Sequence, residues 1–239
     1  MPRTLLGPHA VREALRARRD VSLVYVLEGN KPGDIEALAR SRGIEVVPRS
    51  HEALERLAEG WRHQGVVAIA GEFPYVDLDE LLATAKEPPL LLVLDSIQDP
   101  HNLGALVRSA CVLGADGVVL PRDRAAKVTP AVVRASAGTT EHIRIALVTN
   151  LARAISEMTE QGLTCIAAMS EGGAPPWEVD LRRGVALVVG AEDKGVRRLV
   201  GERCGERVTI PASPLAPLNV SVAGALLLYE ARRQRSASG

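Results

Sequence analysis

Aromatic side chains are scarce in this 239-residue chain: one Phe, two Trp and three Tyr make up 3% of it. Its core therefore has to be aliphatic, and 46% of the residues are hydrophobic all the same. Cysteine is scarce too. Cys111, Cys165 and Cys204 are odd in number, far apart and set among apolar neighbours. That argues against a disulfide framework or a zinc site, and no metal is expected. No apolar run approaches the roughly 20 residues needed to span a bilayer, which argues against a membrane partner. The first residues lack the apolar core of a signal peptide, so a cytoplasmic location is expected. Neither Gly-x-Gly-x-x-Gly nor a Walker A loop occurs, so NAD and ATP chemistry lack their phosphate-binding signature. No charge of one sign dominates, with 29 basic and 29 acidic residues. The balance is uneven along the chain, however. Arg3, Arg12, Arg16, Arg18 and Arg19 face Glu13 alone at the start, and the last helix ends in Arg232, Arg233 and Arg235. Such ends are ordinarily solvated helix faces, and a nucleic-acid role needs further support.

What is present is a strand–helix alternation. Residues 1–71 read as a compact α/β module: helices over Pro8–Arg19 and Pro32–Arg42, strands over Ser22–Glu28, Ile44–Pro48 and Val66–Ala70, and a helix capped by Ser50. Residues 72–89 read as a linker bounded by Pro74 and Pro88-Pro89, with a short helix over Leu78–Ala85. From 90 to 239 the alternation resumes in longer units. The continuous apolar run Leu90–Leu94 predicts a buried parallel strand. Asn102 stands where a helix N-cap belongs, Gly114 stops that helix, and Gly117–Leu120 supplies the next strand. Stepping about 100° per residue places Arg108 away from the face of Leu103, Leu106, Val107, Ala110 and Leu113. Later strands are expected over His142–Ile145, Leu163–Met169, Val185–Val189 and Val208–Ile210. Asn150 should cap an intervening helix. The terminal helix, from Val220 to Arg235, carries a stripe of Val222, Ala225, Leu226 and Tyr229.

Ligands of an open parallel sheet bind beyond the carboxyl ends of its strands. Three loops with unusual residues leave such ends: Ser96–Asn102, Gly190–Gly195 with Glu192 before an expected helix start, and Ile210–Ser221, stiffened by proline. Singly, each has a plainer explanation, as turn chemistry or as an acidic residue answering a helix dipole.

Together and in order, Asp99-Pro-His-Asn-Leu-Gly-Ala-Leu-Val-Arg-Ser-Ala, Val189-Gly-Ala-Glu-Asp-Lys-Gly, and Ile210-Pro with Leu218-Asn-Val-Ser-Val-Ala and Leu228-Tyr-Glu resemble the motifs of the SpoU (TrmH) branch of the SPOUT RNA methyltransferases. Leu6-Gly-Pro-His-Ala-Val-Arg-Glu-Ala-Leu and His63-Gln-Gly-Val-Val-Ala are similar to family members whose small leading domain resembles RNA-binding ribosomal proteins. The resemblance implies an α/β parallel-sheet fold with a C-terminal trefoil knot, an exception to unknotted topology. It also implies a homodimer, for which the terminal stripe offers a surface, although a core stripe within one chain fits equally well. The implied reaction is methylation of a ribose 2′-hydroxyl in RNA, a guanosine of large-subunit rRNA first of all, with S-adenosylmethionine as cofactor. Asn102, Arg108, Glu192 and Asn219 fall at the family's catalytic positions. Gly190, Ile210 and Leu218 fall at its cofactor-binding positions, and His9, Arg12, Arg16, His63 and Gln64 are the candidate RNA contacts.

Arg108 as a base would have to lose a proton from a pKa of roughly 12.5–13.8, at a cost of about 7.5–9 kcal/mol at neutral pH. A guanidinium that keeps its charge, grips a phosphate and stabilises the developing alkoxide is cheaper. The chain departs from its family where Pro217 stands in place of a serine in the third motif, in a loop without glycine. Alternative readings are a tRNA or antibiotic-resistance rRNA ribose methylase, or a knotted RNA-binding protein that has lost catalysis.

Overall fold

A computed structural model describes residues 2–17, 20–30, 32–213 and 218–237. Its chain divides into two compact units, Met1–Pro74 with Lys127–His142, and Tyr75–Ala126 with Ile143–Gly239.

In the first unit β1 (Arg3–Leu6), α1 (Pro8–Arg16), β2 (Val21–Leu27), α2 (Gly33–Ser41), β3 (Glu45–Arg49), α3 (His51–Ala58) and β4 (Val66–Ala70) follow one another. Pro8 opens α1, where its missing N–H leaves nothing unsatisfied. The Ser50 hydroxyl caps α3 by accepting from the Ala53 N–H at 3.3 Å. The sheet runs β1-β4-β2-β3, with β2 and β3 parallel and β4 antiparallel to both its neighbours. Leu5, Val11, Leu15, Val24, Ile35 and Val66 are buried between the sheet and its helices.

Beyond Pro74 come α4 (Leu78–Ala83), β5 (Leu90–Asp95), α5 (Pro100–Leu113), β6 (Gly117–Pro121), α6 (Pro130–Ala135), β7 (Arg144–Val148), α7 (Leu151–Glu160), β8 (Thr164–Ala168), β9 (Val185–Gly190), α8 (Arg198–Arg203), β10 (Glu206–Val208) and α9 (Val220–Ser236). The second unit's sheet is parallel throughout, in the order β10-β8-β9-β5-β6-β7. Neighbouring β9 and β5 are buried at every residue. Continuous apolar runs suit strands covered on both faces. Truncating Leu92, which is fully buried, should cost about 2–5 kcal/mol. Helix α9 packs on α5 at Gly224, where an added Cβ would lie 2.4 Å from the Leu106 side chain.

Several expectations need correction. Asp99, not Asn102, caps α5, accepting from the His101 N–H at 3.0 Å; Asn102 lies in the first turn. Pro100 follows the cap at N1, which is the signal that places the start three residues earlier. The last strand lies over Glu206–Val208 rather than Val208–Ile210, and β7 begins at Arg144 rather than His142. Glu192 precedes no helix: it sits in a tight turn, and α8 begins at Arg198. In α9 the inward residues are Val220, Gly224, Leu227, Leu228 and Ala231. The stripe read from the sequence is the other face, with Val222, Leu226 and Tyr229 exposed. Arg18, Arg19, Pro214 and Pro217 lie outside the described residues.

The chain also groups differently from a cut at residue 71. Segment 127–142, which lies between strands of the second sheet, packs into the first unit. Val133 of α6 joins that unit's core. Glu141 is almost wholly buried and accepts two hydrogen bonds from the Arg3 guanidinium, each 2.7 Å. His142 Nε2 meets Glu13 at 2.7 Å.

Candidate active site

Strands β5, β9 and β10 run parallel, so the loops that follow them leave one edge of the sheet. After β5 the chain turns through Ser96 at φ 65°, a left-handed conformation uncommon outside glycine. Asp95, which closes β5, is fully buried and satisfied. It accepts from the Arg197 N–H at 2.8 Å, from Arg197 Nε at 2.6 Å and from the Ser96 hydroxyl at 3.1 Å. This carboxylate therefore ties the first loop to the segment entering α8. Sequence reasoning missed Asp95; the available signal was a lone acid ending an otherwise apolar strand.

After β9 the chain folds straight back on itself. The Gly195 N–H donates to the Ala191 carbonyl at 2.7 Å, and a Cβ on Gly190 would fall 2.0 Å from the Gly195 carbonyl carbon. Glycine is required at 190 for that crossing, whatever else binds there. Glu192 is exposed within the resulting turn. After β10, Ile210 is half-buried and Leu218 is exposed, flanking residues outside the description.

The three loops meet at Asn219. Its Oδ1 caps α9, accepting from the Ser221 N–H at 2.9 Å and the Val222 N–H at 3.4 Å. That fixes which end of the amide carries the donors. Asn219 Nδ2 then donates to Asn102 Oδ1 at 3.1 Å and to Glu192 Oε1. Asn102, Glu192 and Asn219, one from each motif, thus form a single hydrogen-bonded cluster. Asn102 Nδ2 has no other partner among the described residues and stays available as a donor. Glu192 is hydrogen-bonded to Asn219, and through it linked to Asn102; among the described residues it forms no ion pair with Arg108.

Arg108 is exposed on α5, and among the described residues no carboxylate pairs with it. The guanidinium is free to meet an anion. The basic end of α9 is a different matter. Arg235 donates to four carbonyl oxygens, of Pro88, Pro89, Leu181 and Arg183, and burial lowers its pKa below the usual value. Arg233 pairs with Glu230 at 2.7 Å. These two cations hold structure.

The candidate RNA contacts of the first unit divide the same way. His9 and Gln64 are exposed. Arg12 is held by Asp34, whose carboxylate raises the Arg12 pKa and is itself lowered by that hydrogen bond. Arg16 pairs with Glu13 at 3.0 Å. His63 is only 4% exposed, and its Nδ1 accepts from the Gly65 N–H at 3.0 Å. That leaves the ring proton on Nε2, which faces Glu55 at 3.2 Å. His51 is close enough to complete a group of potential metal ligands with these two. With its ring proton on Nε2, His63 has no lone pair left on that nitrogen.

Cysteine chemistry takes no part in the cluster. Burial pushes the Cys204 thiol up to about 12, and the same cause raises Cys165. No disulfide joins Cys111, Cys165 or Cys204.

Comparison with known proteins identifies the family and the fold. Residues 89–229 match the SpoU rRNA Methylase family, and residues 4–76 match the family described as RNA 2′-O ribose methyltransferase substrate binding. The chain is 41% identical to the 23S rRNA (guanosine-2′-O-)-methyltransferase RlmB of Ralstonia nicotianae, with 97% of this chain and 96% of that protein covered. A crystal structure of an RNA 2′-O ribose methyltransferase superposes with a TM-score of 0.81 at 28% identity, covering 98% of this chain and 89% of that one. The SpoU methyltransferase AviRb of Streptomyces viridochromogenes, crystallised with AdoMet, shares the fold with a TM-score of 0.85 at 24% identity, over 100% and 92% of the two chains.

Proposed function

The chain belongs to the SpoU rRNA Methylase family, and from that premise we propose that it methylates the ribose 2′-hydroxyl of a guanosine in large-subunit ribosomal RNA, as a cytoplasmic homodimer. The observation that carries this reading is the meeting of the three motifs in the Asn102–Asn219–Glu192 cluster at the strand ends.

The residues present fit S-adenosylmethionine. Ile210 and Leu218 offer apolar surface for an adenine ring beside a polar cluster, and the backbone of the Gly190 and Ile210 loops offers donors and acceptors. When bound, the cofactor supplies an electrophilic methyl group. Displacement at carbon leaves the protein mainly alignment to provide. Asn102, with its oxygen held by Asn219, directs its Nδ2 donors at the ribose. Glu192 fixes the Asn219 amide. Arg108 keeps its charge, grips the adjoining phosphate and stabilises negative charge growing on the 2′-oxygen. The hydroxyl proton leaves to solvent as the C–O bond forms, so Arg108 does not have to give up its own proton.

The first unit is the RNA-holding part of the same proposal. His9 and Gln64 contact RNA directly, Arg12 and Arg16 exchange their carboxylate partners for phosphate, and His63 positions Gln64. The homodimer is supported by the outward apolar face of α9, where Val222, Leu226 and Tyr229 are 46%, 44% and 59% exposed. Val112, on the helix beneath it, is also exposed. The trefoil knot comes with the family fold.

Parallel incubations of methyl-labelled S-adenosylmethionine with unmodified large-subunit rRNA and with transfer RNA, then nucleoside mass spectrometry, test the proposal. The expected product is 2′-O-methylguanosine. Label on another nucleoside, on transfer RNA alone, or on nothing contradicts it.

A further inference from the structure

Within the first unit lies a cleft of about 170 Å³ that the catalytic reading leaves unused. Its walls are apolar, formed by Leu6, Pro8 and Ala10 on one side and Val133 and Ala137 on the other. Its rim carries Arg62, Arg134 and the two RNA contacts proposed above, His9 and Gln64, all exposed. Four other arginines of the unit are already paired. Arg3, Arg12, Arg16 and Arg40 each have a carboxylate partner. Neither Arg62 nor Arg134 has one among the described residues. The Arg134 guanidinium instead lies over the ring of Trp61, 4.7 Å from its centroid, and that ring is 41% exposed.

We propose that this cleft seats one unpaired nucleotide of the RNA substrate. The base enters between the apolar walls, and the flanking phosphates meet Arg62 and Arg134, with Trp61 as a further stacking face at the lip. Single-stranded RNA is recognised in this way, by splayed bases stacked on aromatic or guanidinium planes with cations along the backbone. The apolar walls fit a base and not a bare phosphate, and the unpaired cations fit an anionic strand. A duplex, whose bases are stacked inside, cannot fill the cleft. Three of the ten residues lining the cleft, Val133, Arg134 and Ala137, come from the segment 127–142, outside the stretch that matches the substrate-binding family. This inference rests on the RNA-substrate reading above and names where and in what form the strand is held.

The test uses the full-length protein, a fluorescein-labelled RNA oligonucleotide without self-complementarity, and the same sequence annealed to its complement. Anisotropy titrations compare wild type with Trp61→Ala and with the Arg62→Ala/Arg134→Ala double variant. The double variant should bind the single strand at least tenfold more weakly, equivalent to about 1.4 kcal/mol. Its salt dependence should fall by about 1.4 in slope, for two phosphate contacts at about 0.7 each. Trp61→Ala should weaken single-strand binding without changing the slope. Duplex binding, S-adenosylmethionine affinity and melting temperature should not move. Unchanged single-strand affinity in the double variant, with rRNA methylation intact, overturns the cleft while leaving the enzyme reading in place. Equal losses for single strand and duplex overturn the claim of an unpaired base. Absence of RNA binding by the wild type overturns both readings.

Discussion

Two polar networks in this protein join residues distant in sequence, and burial separates them. In the first unit Arg3 and Glu141 form a bidentate pair with side chains 11% and 0% exposed. In the second, Asn219 joins Asn102 and Glu192 at a surface, with Arg108 unpaired on the helix that carries Asn102. A buried ion pair spends its hydrogen-bonding capacity on itself and holds the fold in one arrangement. The exposed cluster keeps donors to spare, on Asn102 and on Arg108. The buried pair is thus committed to stability, while the exposed groups are the ones to which the proposal assigns ligand chemistry.

The largest stability effect should come from the buried pair. Arg3→Met leaves Glu141 without its counter-charge, and breaking such a pair costs about 3–5 kcal/mol. Denaturant unfolding measures it, and a loss under about 1 kcal/mol would reduce the pair to the worth of a surface one. Asp95 is the case that joins the two behaviours, since it is buried yet ties two site loops together. Asp95→Asn should cost about 1.5–3 kcal/mol through its charge-assisted bonds to Arg197, and should lower methyl transfer as well. A variant that loses stability but methylates normally would place Asp95 with the structural network only. Asn219→Ala removes the α9 cap, worth about 0.5–2 kcal/mol, and both side-chain links, so activity should fall further than stability. Glu192→Gln keeps an acceptor for Asn219 Nδ2 and should melt like wild type, whereas Glu192→Ala should slow transfer more than Glu192→Gln does. Smallest of all is the expected effect on thiols. With its proton held to about pH 12, Cys204 should resist iodoacetamide in the native protein at pH 8. Rapid native labelling would show that the surrounding core opens.

Much of the second unit was legible because parallel strands covered on both faces read as unbroken apolar runs, as in Leu90–Leu94 and Val185–Val189. The cluster residues were legible through motifs, but their partners were not. Nothing local in the sequence says that Glu192 meets Asn219 rather than Arg108, since that depends on how the turn after Gly190 folds back. Helix α9 carries apolar residues on more than one face, and period alone cannot say which faces inward. Gly224, which permits the close approach to Leu106, carried that information. The grouping of 127–142 with the first unit was hidden because its deciding contacts, Arg3 with Glu141 and Glu13 with His142, span well over a hundred residues. Removing residues 1–71 would therefore take Arg3 from Glu141 and the surrounding core from Val133, which a cut chosen from sequence did not foresee.

The central claim is that Arg108, unpaired beside the exposed cluster, performs chemistry and does not hold the fold. Arg108→Ala, assayed beside wild type with saturating S-adenosylmethionine and rRNA, tests it most directly. The account predicts methyl transfer slowed by about 10²–10³, as for loss of one donor to a developing oxyanion, with cofactor affinity by calorimetry and melting temperature unchanged. A variant that transfers methyl at the wild-type rate, or one that melts early or no longer binds the cofactor, would contradict it.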